Sequence, residues 1–401
     1  MKRRIGVVTV ARSDYGIYYP LLRAIQDDPD CELHLIVGGS HLSPLYGNTI
    51  DEIQRDGFEI SERVQMLLSG DTPEAVAMSM GLGVINFTSA FRNVHPDIMV
   101  LLGDRFEMLA AAIAALPLRI PIAHIHGGEL TQGAMDDAIR HAISKLSHLH
   151  FAAASVYGRR LEQMGEEPQR VFVTGSPVVD AVLAEPVIPQ DQLEKELGAR
   201  LTNALLVTYH PVTLEHERTE VQIANLLTAL SRFENEVLLT YPNADMGNAV
   251  IIDHLRRFTS SRPGTHIFVN LGRQKYQSVQ RYVAAMVGNS SSGIMEASLF
   301  KLPVVNIGDR QKGRLRTPNI IDTPDEANAI EAGIHRALSP EFKASLAQME
   351  NPYGKGDASE QILKVLKTVP LDGSLLRKRF HDSTQVRETV ASGHAQTRNP
   401  R

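Results

Sequence analysis

The sequence holds a single cysteine, Cys31, in 401 residues. It allows neither an intrachain disulfide nor a four-thiolate zinc or iron–sulfur site, and such sparing cysteine use points to the cytoplasm. A basic excess is missing as well. Lys and Arg number 41 against 46 Asp and Glu, a formal net charge of −5, with a pI near 6.3. Proteins that bind nucleic acid through bulk charge are normally basic, so no nucleic-acid partner is expected. Long apolar runs are absent. The N-terminus starts basic and turns apolar over residues 5–10, but Arg12, Ser13 and Asp14 end the run too early for a signal peptide. The longest apolar stretch, from Met108 to Leu118, falls short of the ~20 residues that span a bilayer, so no membrane association is expected. Nor is there a P-loop, or a Gly-x-Gly-x-x-Gly turn after the first strand, so no dinucleotide cofactor is indicated.

What is present is 43% hydrophobic and 22% charged residues, ordinary for a globular enzyme with a large core. Short β-branched runs at 5–10, 32–37, 97–102, 120–125, 150–153 and 171–173 alternate with helical patterns such as 18–26, 106–116 and 136–148. After a stretch at 180–191 that carries Pro186 and Pro189 and reads as a linker, the alternation restarts with strands at 204–208, 236–240, 265–269, 284–288 and 302–307. This predicts an α/β fold of two Rossmann-like, doubly wound domains facing across a cleft. The boundaries expected are 1–180, 181–366 and a polar, disordered tail over 367–401. Ligands of such sheets bind beyond the carboxyl ends of the strands.

The chemistry-bearing residues fall at those ends. Arg12 and Ser13 follow the first strand, where an arginine beside helix amides suits a phosphate, although an arginine and an aspartate in one turn, here Arg12 and Asp14, more often form a local ion pair. Gly288 to Glu296 carries Asn289, Ser290, Ser291 and Ser292 between glycines at a strand-to-helix turn. Small hydroxyl residues there let a diphosphate approach the backbone, and Glu296 one turn on is placed to accept from ribose hydroxyls; a plain serine N-cap is the alternative. Asp104 closes one strand, His126 and Glu129 the next, and Asp136, Asp137 and Arg140 open the following helix. Gathered carboxylates suit proton transfer, while aspartates at a helix start also complement its dipole. His124 and His126 share a face, but a third metal ligand would have to come from the Gly127-Gly128 turn, so no metal site is expected. His141, His148 and His150 read as packing or surface histidines. His210, at the first strand end of the second half, can donate to a diphosphate.

Taken in order, several stretches resemble the hydrolysing UDP-N-acetylglucosamine 2-epimerases of sialic acid biosynthesis, and their relatives acting on UDP-N,N'-diacetylbacillosamine in legionaminic acid biosynthesis. They are Arg12-Ser13-Asp14-Tyr15, residues 39–49, Gly103-Asp104-Arg105-Phe106, His124-Ile125-His126-Gly127-Gly128-Glu129, Asp136-Asp137-Ala138-Ile139-Arg140-His141, Thr208-Tyr209-His210-Pro211-Val212-Thr213, residues 288–293 and residues 306–311. The resemblance implies a GT-B fold with the nucleotide held mainly by the second domain, no metal or redox cofactor, and a homodimer or homotetramer; the apolar residues between Met78 and Ile85 offer one surface for it. It also implies loss of the C2 proton and of UDP to give a 2-acetamidoglucal, then hydration with inversion at C2. Asp104, Asp136 and His210 fall at functional positions by this likeness, and Arg12, Ser290 and Ser291 at phosphate positions. Some family members carry glutamate where His126 stands, which leaves the C2 base among Glu129, Asp136 and His126. UDP-N-acetylglucosamine is the substrate expected, with UDP-N,N'-diacetylbacillosamine as the alternative and UDP over GDP resting on likeness. The rival readings are a GT-B glycosyltransferase, a non-hydrolysing epimerase and a silent nucleotide-sugar sensor.

Overall fold

A computed structural model describes residues 2–44, 47–68, 72–131, 135–212, 217–242 and 247–382. Of the stretches singled out above, Leu45, Tyr46, Thr213 and the tail from 383 on lie outside the described residues. The chain divides into two compact units. One comprises Met1–Glu129, Ala138–Ser176 and Asp357–Arg401, the other Leu130–Asp137 and Pro177–Gly356.

The first unit is built on seven strands: β1 (Arg3–Thr9), β2 (Cys31–Gly38), β3 (Ile60–Val64), β4 (Ile98–Leu102), β5 (Ile122–Ile125), β6 (Leu149–Ala152) and β7 (Val171–Val173). They pair in parallel in the order β3-β2-β1-β4-β5-β6-β7. β4 and β5 are buried along their whole length, as a strand covered by helices on both faces must be. β3 lies at the sheet edge, where Glu62 and Arg63 interrupt its apolar residues; that polarity hid it from the periodicity reading.

The second unit carries β8 (Leu205–Thr208), β9 (Val237–Thr240), β10 (Thr265–Phe268), β11 (Ala285–Gly288), β12 (Val304–Ile307) and β13 (Ile320–Thr323). They are parallel in the order β10-β9-β8-β11-β12-β13. In both sheets the order reverses between the first and fourth strands. That switch point, β1/β4 and β8/β11, is where a doubly wound sheet opens a crevice for ligand.

Two expectations are corrected. The stretch 180–191 is not a plain linker: the helix Pro177–Ala184 occupies its start, buried through Val178, Val179, Ala181 and Val182, and the helix Gln190–Leu197 begins within it. The tail is ordered as far as 382 and joins the first unit. The helix Ala358–Thr368 puts Ile362, Leu363 and Leu366 into that unit's core. Beyond it, Arg170 donates to the carbonyls of Leu375 and Ser374 at 2.5 and 3.0 Å. Lys378 pairs with the fully buried Glu166 at 2.7 Å, and the His381 amide bonds the Gly165 carbonyl at 2.9 Å. The segment is held by these ion pairs and carbonyls together with the buried Leu375, and Val369 and Leu371 pack against the same core. Among the described residues no helix is long and apolar enough to cross a membrane.

Candidate active site

In the first unit the strand ends turn sharply. Gly103, in left-handed conformation, follows β4 and presents Asp104 and Arg105. His126 follows β5 with φ of 65°. A left-handed non-glycine residue costs about 1–2 kcal/mol and persists only where its surroundings hold it. Here the His126 amide donates to the Phe151 carbonyl at 3.0 Å, its carbonyl accepts from Arg140 at 3.1 Å, and its Nε2 lies 2.8 Å from the Ser176 hydroxyl. Gly128 is a left-handed glycine by necessity, since a Cβ there would lie 2.4 Å from the Tyr157 carbonyl oxygen.

The helix Met135–Leu146 supplies the cation that organises these ends. Arg140 is 2% exposed and bonds Asp104 through Nη2, with Glu129 at 3.5 Å from Nη1. A buried guanidinium is tolerated only when paired in this way. Glu129, 1% exposed, also lies 3.7 Å from the His126 Nδ1. Asp104, His126, Glu129 and Arg140 are therefore one cluster, in which Asp104 retains 21% side-chain exposure. Arg140, expected on substrate, here meets the acids and the His126 backbone. Asp136 is partly exposed one helical turn before Arg140, in the 130–137 stretch grouped with the second unit.

His124 is a brace within this edge. Its Nε2 lies 2.8 Å from the Gly103 carbonyl and its Nδ1 3.1 Å from the Ser144 hydroxyl. The carbonyl can only accept, so Nε2 carries the proton and Nδ1 accepts from Ser144. Burial pushes His124 down to about 3, which keeps the ring neutral. His148 and His150 are buried, the latter against Glu166 at 2.8 Å. Among the described residues no group of three or more His, Cys, Asp or Glu is arranged to hold a metal ion.

At the β1/β4 switch point the structure brings together further residues that were not among the candidate site residues. Asp14 is 6% exposed and Glu107 1% exposed. Arg105 forks onto both Glu107 oxygens at 3.2 Å. His41 is pinned between the Thr9 and Thr49 hydroxyls at 2.9 and 2.7 Å, and burial, aided by Arg105, pushes it down to about 4. The signal was present in the sequence, but an Asp or Glu in a first helical turn ordinarily reads as dipole complementation. Arg12 is partly exposed and lies 3.6 Å from Glu52, an acid from outside its own turn. Ser13 is exposed and its hydroxyl donates to Asp14 at 3.3 Å.

In the second unit β8 and β11 approach so closely at their ends that a Cβ on Gly288, whose φ is 141°, would lie 2.0 Å from the Thr208 carbonyl oxygen. Asn289 is wholly buried, and its side-chain amide brackets the His210 backbone: Oδ1 accepts from the His210 amide at 2.7 Å and Nδ2 donates to its carbonyl at 2.8 Å. Its side chain thus ties the two strand ends at the turn expected to bind nucleotide. Its own carbonyl accepts from Arg310 at 3.1 Å and Gln311 at 3.0 Å. Burial, with Arg310 adding to it, holds His210 well below the ordinary histidine range, so the ring is neutral at pH 7. Arg310 was missed as a site residue, although Gly308-Asp309-Arg310 repeats the strand-end pattern of Gly103-Asp104-Arg105. Ser290 caps the helix Ser291–Met295, and its hydroxyl lies 3.1 Å from that of Ser292, which meets the Tyr276 hydroxyl at 2.7 Å. One oxygen of Glu296 accepts from Gln280 at 3.0 Å, and burial raises the carboxyl above its usual range.

A sequence profile of the UDP-N-acetylglucosamine 2-epimerases matches residues 23–367. The chain belongs to the hydrolysing UDP-N-acetylglucosamine 2-epimerase family. It is thus an enzyme, a hydrolysing UDP-sugar 2-epimerase. Among its relatives, the GDP/UDP-N,N'-diacetylbacillosamine 2-epimerase (hydrolysing) of Campylobacter jejuni is 43% identical over 385 residues, covering 95% of this chain and 99% of that protein. The UDP-N,N'-diacetylbacillosamine 2-epimerase (hydrolysing) of Legionella pneumophila is 37% identical over 380 residues, 94% of this chain and 99% of that one. The crystal structure of UDP-GlcNAc 2-epimerase from Neisseria meningitidis bound to UDP-GlcNAc superposes with a TM-score of 0.79 at 18% identity, covering 90% of this chain and 99% of that chain. The fold is of the GT-B type shared with these epimerases, with two parallel sheets.

Proposed function

We propose that the chain converts UDP-N,N'-diacetylbacillosamine and water into the C2-epimeric free sugar and UDP. The cluster around Arg140 supports this reading, because it fixes Asp104 at one sheet edge with the buried Glu129 and His126 behind it. The relatives at 43% and 37% identity, which bear that substrate in their names, support the choice of sugar. UDP-N-acetylglucosamine, the substrate expected from the sequence, is the second reading, favoured by the description of the family itself.

In this mechanism a base removes the C2 proton and the C1–O bond to UDP breaks, leaving a 2-acetamidoglucal. Water then adds its oxygen to C1 while C2 takes a proton on the opposite face, so one water is consumed for each UDP released. C2–H is weakly acidic, so the leaving diphosphate must be stabilised as the proton departs. Arg310, the Ser290 to Ser292 hydroxyls and neutral His210 supply a cation and donors for it in the second unit. Asp104 and Asp136 are the acids open enough to meet a sugar, and they take the proton-transfer roles. Glu129 and His126 are buried and set the position of Asp104 through Arg140.

Proton NMR in D₂O tests this with each nucleotide sugar in turn. The expected result is release of UDP and a free 2-epimer carrying deuterium at C2, faster for the diacetylated 6-deoxy sugar. Faster turnover of UDP-N-acetylglucosamine moves the substrate to the second reading. Inertness toward both, with sugar transfer to an added acceptor, removes the epimerase mechanism.

A further inference from the structure

The carboxyl end of β1 carries an acid that the reaction above does not use. Asp14 stands in the first turn of the helix Arg12–Asp27 and is 6% exposed. Its Oδ1 accepts from Ser13 at 3.3 Å, while its buried Oδ2 has no hydrogen-bond partner among the described residues. The groups facing it are Arg105, Glu107 and Asp104 from beyond β4 and Tyr18 from its own helix. Arg105 is committed to both Glu107 oxygens and Asp104 to Arg140. An ionised Asp14 would thus be a third carboxylate beside two others, with an unsatisfied oxygen out of reach of water, a costly arrangement that a proton relieves. Burial first, then Glu107 and Asp104, outweigh the opposing pull of Arg105 and push Asp14 up to about 7.

We propose that Asp14 is a positioning residue for the epimerisation: a buried carboxyl, beside Glu107 and Asp104, that holds a proton on the acid side of neutrality and so spares Arg105 and the Ser13 hydroxyl a third negative charge when an anionic nucleotide sugar binds. The proposal rests on the reading that the substrate is such an anion. When Asp14 ionises, Arg105 divides between it and Glu107, the Ser13 hydroxyl, already 3.3 Å from Oδ1, is held more tightly, and the edge repels the substrate.

The test compares kcat/KM at pH 6.0 and 8.5 in the wild type and in D14N, which holds the neutral shape. The proposal expects a fall of about tenfold or more in the wild type and about twofold or less in D14N, the interaction of one added charge being worth about one decade. A merely structural role would lower D14N at every pH and leave the wild-type ratio in place, and that result overturns the proposal. E107Q frees Arg105 for Asp14 and is expected to move the limb about one unit toward acid; if D14N does not fold, an unmoved limb in E107Q overturns the proposal instead. Carboxyl ¹³C NMR of aspartate-labelled protein, run without substrate, reads the proton directly. A resonance missing from D14N and titrating near 7 supports the proposal, and one titrating below about 5 overturns it. Because that titration needs no turnover, its failure is distinguishable from failure of the substrate reading.

Discussion

Arg140→Met is the sharpest perturbation of the first unit. Methionine keeps most of the side-chain volume and removes the charge. Glu129, 1% exposed, and Asp104 then lose the guanidinium between them, and the His126 carbonyl loses its donor at 3.1 Å. Removing one partner of a buried ion pair costs about 3–5 kcal/mol, chiefly the charge left uncompensated. For a unit of roughly 200 residues each kcal/mol shifts Tm by about 2–4 °C, so R140M should melt about 6–20 °C below the wild type. R140K keeps the charge but not the fork and should lie between the two. The double variant R140M/E129Q removes a stranded carboxylate with its partner and should recover about 1 kcal/mol or more relative to R140M. Thermal melts by circular dichroism check all three. A loss below about 1 kcal/mol in R140M, or no recovery in the double variant, would refute the view that Arg140 balances buried acids, and would return it to the substrate contact expected from the sequence.

The remaining predictions concern the histidines and the second sheet. His41, His124 and His148 are pushed by burial to about 4, 3 and 4, and His210 lies well below the ordinary range. The folded state therefore binds fewer protons than the unfolded chain below about pH 6.5. Their stabilisation is complete above that pH and is lost as pH falls toward 4, at about 1.4 kcal/mol per unit for each ring. Urea midpoints that stay flat between pH 6.5 and 4 would contradict this. H124Q should lower kcat by about ten- to a hundredfold with little change in KM, because it loosens Gly103 and hence Asp104 without touching the nucleotide; steady-state kinetics reads the split, and an effect on KM alone argues against the brace. G288A should fail to fold or lose UDP binding, since its Cβ meets the Thr208 carbonyl oxygen at 2.0 Å; wild-type calorimetric affinity for UDP in a folded G288A would show that the strand ends can part.

The sequence by itself determined the α/β architecture and set its candidate polar residues at the carboxyl ends of the strands. Buried strands of apolar β-branched residues and polar turns of glycine, serine and acid are local signals, written in consecutive residues. For the same reason β3 and the ordered stretch up to 382 escaped notice, because their places depend on an edge position and on ion pairs with distant residues. Only the tertiary structure decided what each polar residue does once it arrives. Arg140 meets Asp104 across 36 positions of sequence and Asn289 meets His210 across 79. Nothing local distinguishes a side chain that bonds substrate from one that braces a strand end. Asp14 is the clearest instance. A first-turn aspartate is by its sequence a helix-dipole residue. Burial beside Glu107 and Asp104, a property of packing alone, raises its carboxyl toward neutral pH.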